Sequence, residues 1–387
     1  MQKGTGMVKM IDLQQSRNEI DRIDKQIVSL FEERMEIAKD VAAYKIKTGK
    51  KVLDKERENE KLRVLQAMAS NDFNKHGITE LFTQIMSMSR KYQYGLMSAG
   101  EQELPLKEIE SLHRDKKMKV VCFGVKGSYT EQAMEEYFNT DIECFYAPTF
   151  KEIMEVIKKG EADYGVLPIE NTSTGGIADI YDLLVEYDNY IIGEHVVKVQ
   201  QALLGLPEAK LEDIKKVYSH PQALMQCSKF LESHHHMSSI EWLSTSDSAK
   251  KVQEDQDITQ GAIASVRAAK CYKLKVLKES INHVNTNSTR FIIITKKKEF
   301  IKNANKISIC FELPHESGSL YNMLSHFIYN NLNMTKIESR PLEGHAFEYR
   351  FFVDFTGNLK EPSVKNALLG IQEEAIGFRI LGNYHMV

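Results

Sequence analysis

A chain of 387 residues is too long for one ordinary hydrophobic core and implies two or three domains. Its composition, 42% hydrophobic and 27% charged with a formal net charge of −3, is that of a soluble globular protein and offers no global basic excess to attract nucleic acid. Met1 to Met10 holds no apolar run long enough for a signal peptide, and no later segment approaches ~20 continuous apolar residues. Secretion and membrane spanning are therefore disfavoured, and the cytoplasm is the expected compartment.

Residues 12 to 93 show no strand-like alternation, only three helical patterns. The first, from about Ser16 to Ile46, predicts a helix roughly 45 Å long at 1.5 Å per residue. Its apolar stripe of Ile20, Ile23, Ile27, Leu30, Phe31, Ile37, Ala38 and Val41 needs a partner of equal length. An antiparallel copy from a second chain would serve, so an intertwined helical dimer is predicted. Thr48-Gly49-Lys50 ends this helix, and Asp54 is placed to cap the next.

Polar groups interrupt all three stripes. Arg34 and Lys45 project from within the first, Glu58 extends the stripe Leu62, Leu65, Ala69, and Ile78, Leu81, Phe82 and Ile85 run on to Ser89 and Gln93. An unpaired buried polar group costs a few kcal/mol, so these side chains must meet one another or a polar ligand. Taken by themselves they fit either a structural salt-bridge network or an anion site.

Residues 94 to about 117 are polar and weakly patterned, as a linker is. Short apolar runs then alternate with helical stretches: Val120 to Phe123, Tyr164 to Leu167, Val217 to Tyr218, Ala262 to Ala264 and Phe291 to Ile294. This is the texture of an α/β domain. After a second charged break, Lys296 to Lys306, residues 307 to 383 read strand, helix, strand, strand, helix, strand, a small ferredoxin-like unit. The five cysteines (Cys122, Cys144, Cys227, Cys271, Cys310) never form Cys-x-x-Cys and read as reduced core residues. His234, His235 and His236 are consecutive and cannot converge on one point, so they read as a solvated run, and no metal site is expected.

The helical segment resembles the all-helical chorismate mutases. Arg17, Arg34, Lys45, Asp54, Arg57, Glu58, Ser89 and Gln93 each stand where that family places a ligand-binding group. The resemblance implies a Claisen rearrangement of chorismate to prephenate, which needs neither nucleophile nor proton transfer, only a fixed dianion and a stabilised ether oxygen. It assigns Arg17 (from the partner chain), Arg34 and Arg57 to the carboxylates with Ser89 assisting, Lys45 and Gln93 to the ether oxygen, and Glu58 to the ring hydroxyl.

The central segment resembles prephenate dehydratase through four stretches: Gly124 to Thr130, Pro168-Ile169-Glu170-Asn171-Thr172, Ser219-His220-Pro221-Gln222, and Asn287-Ser288-Thr289-Arg290-Phe291. Alone, Gly124-x-x-Gly127 suggests a phosphate loop, yet neither a dinucleotide fingerprint nor a P-loop lysine-serine is present. The resemblance implies two periplasmic-binding-protein-like lobes with the substrate between them, and loss of water and CO2 from prephenate to give phenylpyruvate. Thr289 is implied nearest the departing hydroxyl, with Ser128, Asn171, Thr172, His220, Arg290 and Phe291 around it. Arg290 is left open between anion anchor and ion-pair partner. Gln201 stands where related sequences often carry histidine.

The last segment resembles an ACT regulatory domain, through Glu338-Ser339-Arg340-Pro341 and, less closely, Gly318-Ser319-Leu320-Tyr321, where a tyrosine replaces the usual small aliphatic. Gly318, Ser319, Leu320, Glu338, Ser339 and Arg340 are the implied contacts to L-phenylalanine as an allosteric ligand. A βαββαβ unit without ligand is the alternative. The order is that of the bifunctional chorismate mutase/prephenate dehydratases: mutase 10–95, linker 96–117, dehydratase 118–296, ACT 306–387. It implies a homodimer or higher oligomer, no cofactor, no nucleic acid and no membrane. Two rivals are a two-lobed binding protein with a helical dimerisation arm, and a chain in which the dehydratase alone survives. The polar groups on the helical stripes argue against the first, and the intact matches at Lys45, Glu58 and Gln93 to the mutase family argue against the second.

Overall fold

The computed structural model describes residues 12–98, 104–112, 118–139, 142–284, 286–345 and 347–386, so the Met1 to Met10 expectation and parts of the predicted 96–117 linker lie outside the described residues. The chain divides into two compact units, one of residues 1–102, 318–331 and 362–374, the other of 103–317, 332–361 and 375–387. The C-terminal segment read as one small domain contributes its helices to the first unit and its strands to the second.

In the first unit, Asp12 accepts from Gln14 N and Gln15 N and so starts helix α1 (Leu13–Thr48), a few residues longer than predicted at each end. Gly49, at φ 68°, stops it and returns its N–H to Lys45 O. Asp54 caps helix α2 (Lys55–Ala67) by accepting from Arg57 N, as predicted, and helix α3 (Asp72–Ser98) follows. Both α1 and α2 pack on α3. The apolar stripe of α1 stays open: Ile20, Ile23, Ile27, Leu30 and Ile37 are 45% to 65% exposed, and only Ala38 and Ala42 are buried. The helices Ser319–Tyr329 and Pro362–Glu374 complete this unit, the latter against α3.

The second unit has two lobes. One is built on strands Tyr190–Lys198, Ser288–Thr295, Tyr164–Asn171, Met118–Phe123 and Ile142–Ala147, neighbours in that order. The other is a five-stranded sheet in the order Lys275–Lys278, Ala202–Gly205, Gln260–Ala264, Lys216–Ser219, Ser238–Glu241. Each lobe has its own apolar core, around Val217, Ile263 and Ala264 in one and Val166, Phe291 and Ile293 in the other. The chain crosses between lobes at 199–201 and returns at 279–287. Strands Lys306–Glu312, Met334–Pro341, Tyr349–Thr356 and Ile376–Tyr384 take the predicted strand order and continue the first lobe's sheet through parallel pairing of Gly382 with Ile191.

Both charged breaks contain structure. Lys107–Ile109 pairs in parallel with Glu299–Ile301, and Lys302 Nζ reaches Glu110 at 2.8 Å. Strands of three residues are too short to show an alternating pattern, and charged neighbours surround them, which is why one stretch reads as a linker and the other as a charged break.

Candidate functional site

A cavity of about 320 Å³ opens among α1, α2 and α3. Its wall includes Arg34, Lys45, Asp54, Arg57, Glu58, Ser89 and Gln93, seven of the eight helical positions singled out in the sequence. Arg17, the eighth, is exposed on α1 and outside this wall. Arg34 donates to Ser89 Oγ, and Lys45 Nζ donates to Val52 O at 2.6 Å. Gln93 is 6% exposed, and its Oε1 has no hydrogen-bond partner among the described residues. Burial lowers the Lys45 pKa against the pull of Glu373, Asp54 and Glu58, and burial also lowers that of Arg34, which stays charged.

Sequence reasoning missed Arg90 and Lys61 in this wall. Arg90 Nη1 reaches Glu58 Oε2 at 2.5 Å, and its pKa lies above the ordinary value because Glu374 and Glu58 outweigh its burial. With five cations against two carboxylates, the wall carries the positive excess that a small dianion needs.

The second cavity, about 220 Å³, lies between the two lobes at the ends of their strands, where open α/β sheets take ligands. Asn171, His220 and Thr289 line it, with Tyr129, Gln201, Gln222, Gln226, Ser244, Thr245 and Asn287. Asn171 Nδ2 donates to Thr289 Oγ1 at 2.8 Å and to Asn287 Oδ1 at 3.0 Å, so the amide is held and the Thr289 hydroxyl proton is left for another acceptor. His220 caps the helix Pro221–Gln226, accepting from Gln222 N through Nδ1, which puts the proton of the neutral ring on Nε2. Burial lowers its pKa, opposed by Glu241. Gln201 is 3% exposed, and its Oε1 has no partner among the described residues. Helices Tyr129–Phe138 and Thr245–Asp255 begin at this wall and present N-terminal partial positive charge to it.

Four implied dehydratase residues lie off the cavity wall. Ser128 caps the helix Tyr129–Phe138, accepting from Glu131 N. Thr172 Oγ1 accepts from Ser288 N at 3.0 Å and ties two chain segments together. Phe291 is 2% exposed and packs in the apolar core, beyond a register shift between Arg290 and Phe291 in the pairing with the strand Tyr164–Asn171. Arg290, left open in the sequence, is an ion-pair partner: it reaches Glu170 at 2.9 Å and Glu194 and Asp354 at 3.0 Å.

In the C-terminal segment, Gly318 (φ 80°) precedes the helix that begins Ser319-Leu320, and Tyr321 is 59% exposed. Along the strand Met334–Pro341 burial alternates, so Ser339 is exposed on one face while Glu338 and Arg340 lie on the other. Arg340 is engaged with Asp182 at 2.7 Å, and Lys336 lies 3.8 Å from Glu338. The side chains of Glu338 and Arg340 thus share one face of this strand and Ser339 takes the other.

A pocket of fixed charges among helices and an uncharged hydrogen-bonding cleft between α/β lobes define a chain with two separate small-molecule sites. The family model for chorismate mutase type II matches residues 16–94, and that for prephenate dehydratase matches residues 120–299. A bifunctional chorismate mutase/prephenate dehydratase from Aquifex aeolicus is 33% identical over 378 residues, covering 97% of this chain and 98% of the relative. Among solved structures, prephenate dehydratase from Arthrobacter aurescens in complex with L-Phe superposes with a TM-score of 0.65 at 29% identity, over 69% of this chain and 90% of that one. A quorum-quenching acylase, GqqA, reaches the same TM-score at 26% identity, over 70% of this chain and 98% of that one, a reminder that fold alone does not fix chemistry. The chain belongs to the bifunctional chorismate mutase/prephenate dehydratase family.

No helix among the described residues is long and apolar enough to cross a membrane.

Proposed function

We propose that the helical pocket rearranges chorismate to prephenate and that the interlobe cavity converts prephenate to phenylpyruvate, without a cofactor. The observation that carries this reading is the convergence of Arg34, Lys45, Arg57, Glu58, Ser89 and Gln93, from three helices, on one cavity. Arg34 and Arg57 hold the two carboxylates, joined by Arg17 of a second copy, and Ser89 is oriented by Arg34. Lys45 and the Gln93 amide donate to the ether oxygen as its bond to the ring breaks, and Glu58 accepts from the ring hydroxyl. Asp54 acts through its cap on α2, which sets the turn carrying Arg57 and Glu58.

In the second site, the bonding pair released as CO2 departs becomes part of the aromatic ring, and the ring hydroxyl leaves with a proton as water. Thr289, its oxygen already accepting from Asn171, is oriented to donate toward that hydroxyl. His220 Nε2–H and the helix N-termini at Tyr129 and Thr245 hold carboxylates, and Gln201 Oε1 accepts from substrate. Ser128 and Thr172 support the wall without lining it.

The exposed stripe of α1 supports an intertwined homodimer, with the domains at 10–95, 118–296 and 306–387. The βαββαβ order of the last segment supports an ACT unit that takes L-phenylalanine, with Gly318, Ser319 and Leu320 supplying one contact and the 338–340 strand the other. The test is to give the purified chain prephenate with and without L-phenylalanine and to weigh it by sedimentation. Phenylpyruvate formation that L-phenylalanine suppresses, in a particle of at least two chains, is expected. A monomer indifferent to phenylalanine contradicts the dimer and regulatory parts.

A further inference from the structure

The helix Pro362–Glu374 ends on two adjacent carboxylates and has no basic residue in its last turn. Negative charge at a helix C-terminus opposes the macrodipole, at about 0.3–1 kcal/mol per charge. Local helix chemistry therefore gives no reason for Glu373 and Glu374; their partners do, and those partners belong to the pocket among α1, α2 and α3.

Glu373 grips the turn between α1 and α2. Its Oε1 accepts from Val52 N at 3.0 Å, and its Oε2 accepts from Leu53 N at 2.8 Å and from Tyr94 Oη at 2.6 Å. The carbonyl of the same Val52 accepts Lys45 Nζ at 2.6 Å. One peptide segment is thus held from its N–H side by Glu373 and is itself the rest on which the Lys45 ammonium sits. Bonds to a carboxylate are roughly twice as strong as neutral ones, so this is a firm anchor.

Glu374 acts on the opposite wall. It receives Arg90 through Nε at 2.9 Å and Nη2 at 3.4 Å, while Arg90 Nη1 points to Glu58 Oε2 at 2.5 Å. A guanidinium is planar, so fixing Nε and Nη2 fixes the direction of Nη1. The side chains of Arg90 and Glu374 are each 10% exposed. Burial would raise the Glu374 carboxyl, but His326, 3.4 Å away, and the Arg90 charge hold it at about 2, so it is ionised at any working pH.

We infer that Glu373 and Glu374 are positioning residues of the mutase reaction, Glu373 setting Lys45 through the Val52 peptide and Glu374 setting Glu58 through Arg90. The C-terminal helix, far from the mutase segment in sequence, is on this account a structural part of the mutase site. The inference rests on reading the helical pocket as the mutase.

The test uses the full chain and the substitutions Glu373→Ala, Glu373→Gln and Glu374→Gln, assayed on chorismate and separately on prephenate. Glu373→Ala and Glu374→Gln are expected to lower mutase kcat/KM about tenfold, mostly in kcat, with prephenate dehydration unchanged; the thermal midpoint falls in both, because each leaves buried partners unpaired, while the chain stays folded at the assay temperature. Glu373→Gln separates charge from geometry. It keeps an oxygen for the turn but removes one of the carboxylates facing Lys45, the others being Asp54 and Glu58, with Arg57 opposing them. Its mutase activity should therefore fall at lower pH on the alkaline side than that of the parent chain. Mutase kcat/KM within about twofold of the parent in all three, with an unmoved alkaline limb, overturns the inference. If Glu373→Ala does not fold, the alkaline limb of Glu373→Gln decides alone. A parent chain that leaves chorismate untouched is a different result, since it removes the mutase reading beneath the inference.

Discussion

The helical pocket is walled by five cations and two carboxylates, whereas among the described residues no side chain lining the interlobe cavity carries a fixed charge of either sign. The contrast follows the chemistry proposed for each. A rearrangement that only redistributes charge within a bound dianion gains from rigid, pre-placed cations. A fragmentation driven by aromatisation needs the leaving hydroxyl protonated and the carboxylate free to depart, and a cation clamped on that carboxylate would hold it back. Neutral donors and helix N-termini bind the anion more loosely.

The largest expected effect breaks this comparison on its charged side. Lys45→Ala or Gln93→Ala should reduce chorismate turnover by a hundredfold or more, roughly the cost of losing one pre-placed donor, while prephenate turnover is unchanged and the chain stays folded. Near-normal chorismate kinetics in either variant would remove the assignment of the ether-oxygen donors. On the uncharged side, Thr289→Val keeps the side-chain shape and deletes the hydroxyl. It should slow phenylpyruvate formation by about a hundredfold and leave chorismate consumption intact, so that prephenate accumulates.

The two sites were also unequally legible in the sequence. Polar groups on an apolar helical stripe are conspicuous because burying them is costly, and the five that interrupt the stripes, Arg34, Lys45, Glu58, Ser89 and Gln93, share one wall; Asp54 and Arg57 in that wall were picked out as site residues by the resemblance alone. Arg90 escaped notice because the partner that explains it, Glu374, is 284 residues away and no local pattern links them. In the interlobe cavity the polar residues are of kinds common in any loop, and only the resemblance of whole stretches singled them out. Stretches are coarse guides: Asn287 and Thr289 line the cavity, while Arg290 and Phe291 of the same run turn to an ion cluster and to the core. The fold read more clearly, with every apolar run singled out lying in a strand. Strands that were not singled out include the short pair Lys107–Ile109 and Glu299–Ile301, which lie almost two hundred residues apart, and the C-terminal segment read as one domain contributes to both units.

Two smaller effects sharpen the comparison. Arg290→Met should leave the substrate chemistry of the interlobe cavity largely intact and instead destabilise the fold by about 3 kcal/mol in chemical denaturation, since Glu194 and Asp354 lose their buried guanidinium partner. A variant with normal stability and lost prephenate affinity would return Arg290 to the role of anion anchor. Gln201→Leu is expected to raise the KM for prephenate a few-fold, about 1 kcal/mol for one neutral hydrogen bond, with kcat little changed. An unchanged KM would mean that its unpaired Oε1 does not meet substrate.

The most direct measurement is to supply the purified chain with chorismate alone and follow products by mass spectrometry over time. Two sites of the kinds described should give prephenate that rises and then falls as phenylpyruvate accumulates, with nothing else added. Chorismate left untouched, or prephenate as the end product, would contradict the account of a chain that carries out both steps.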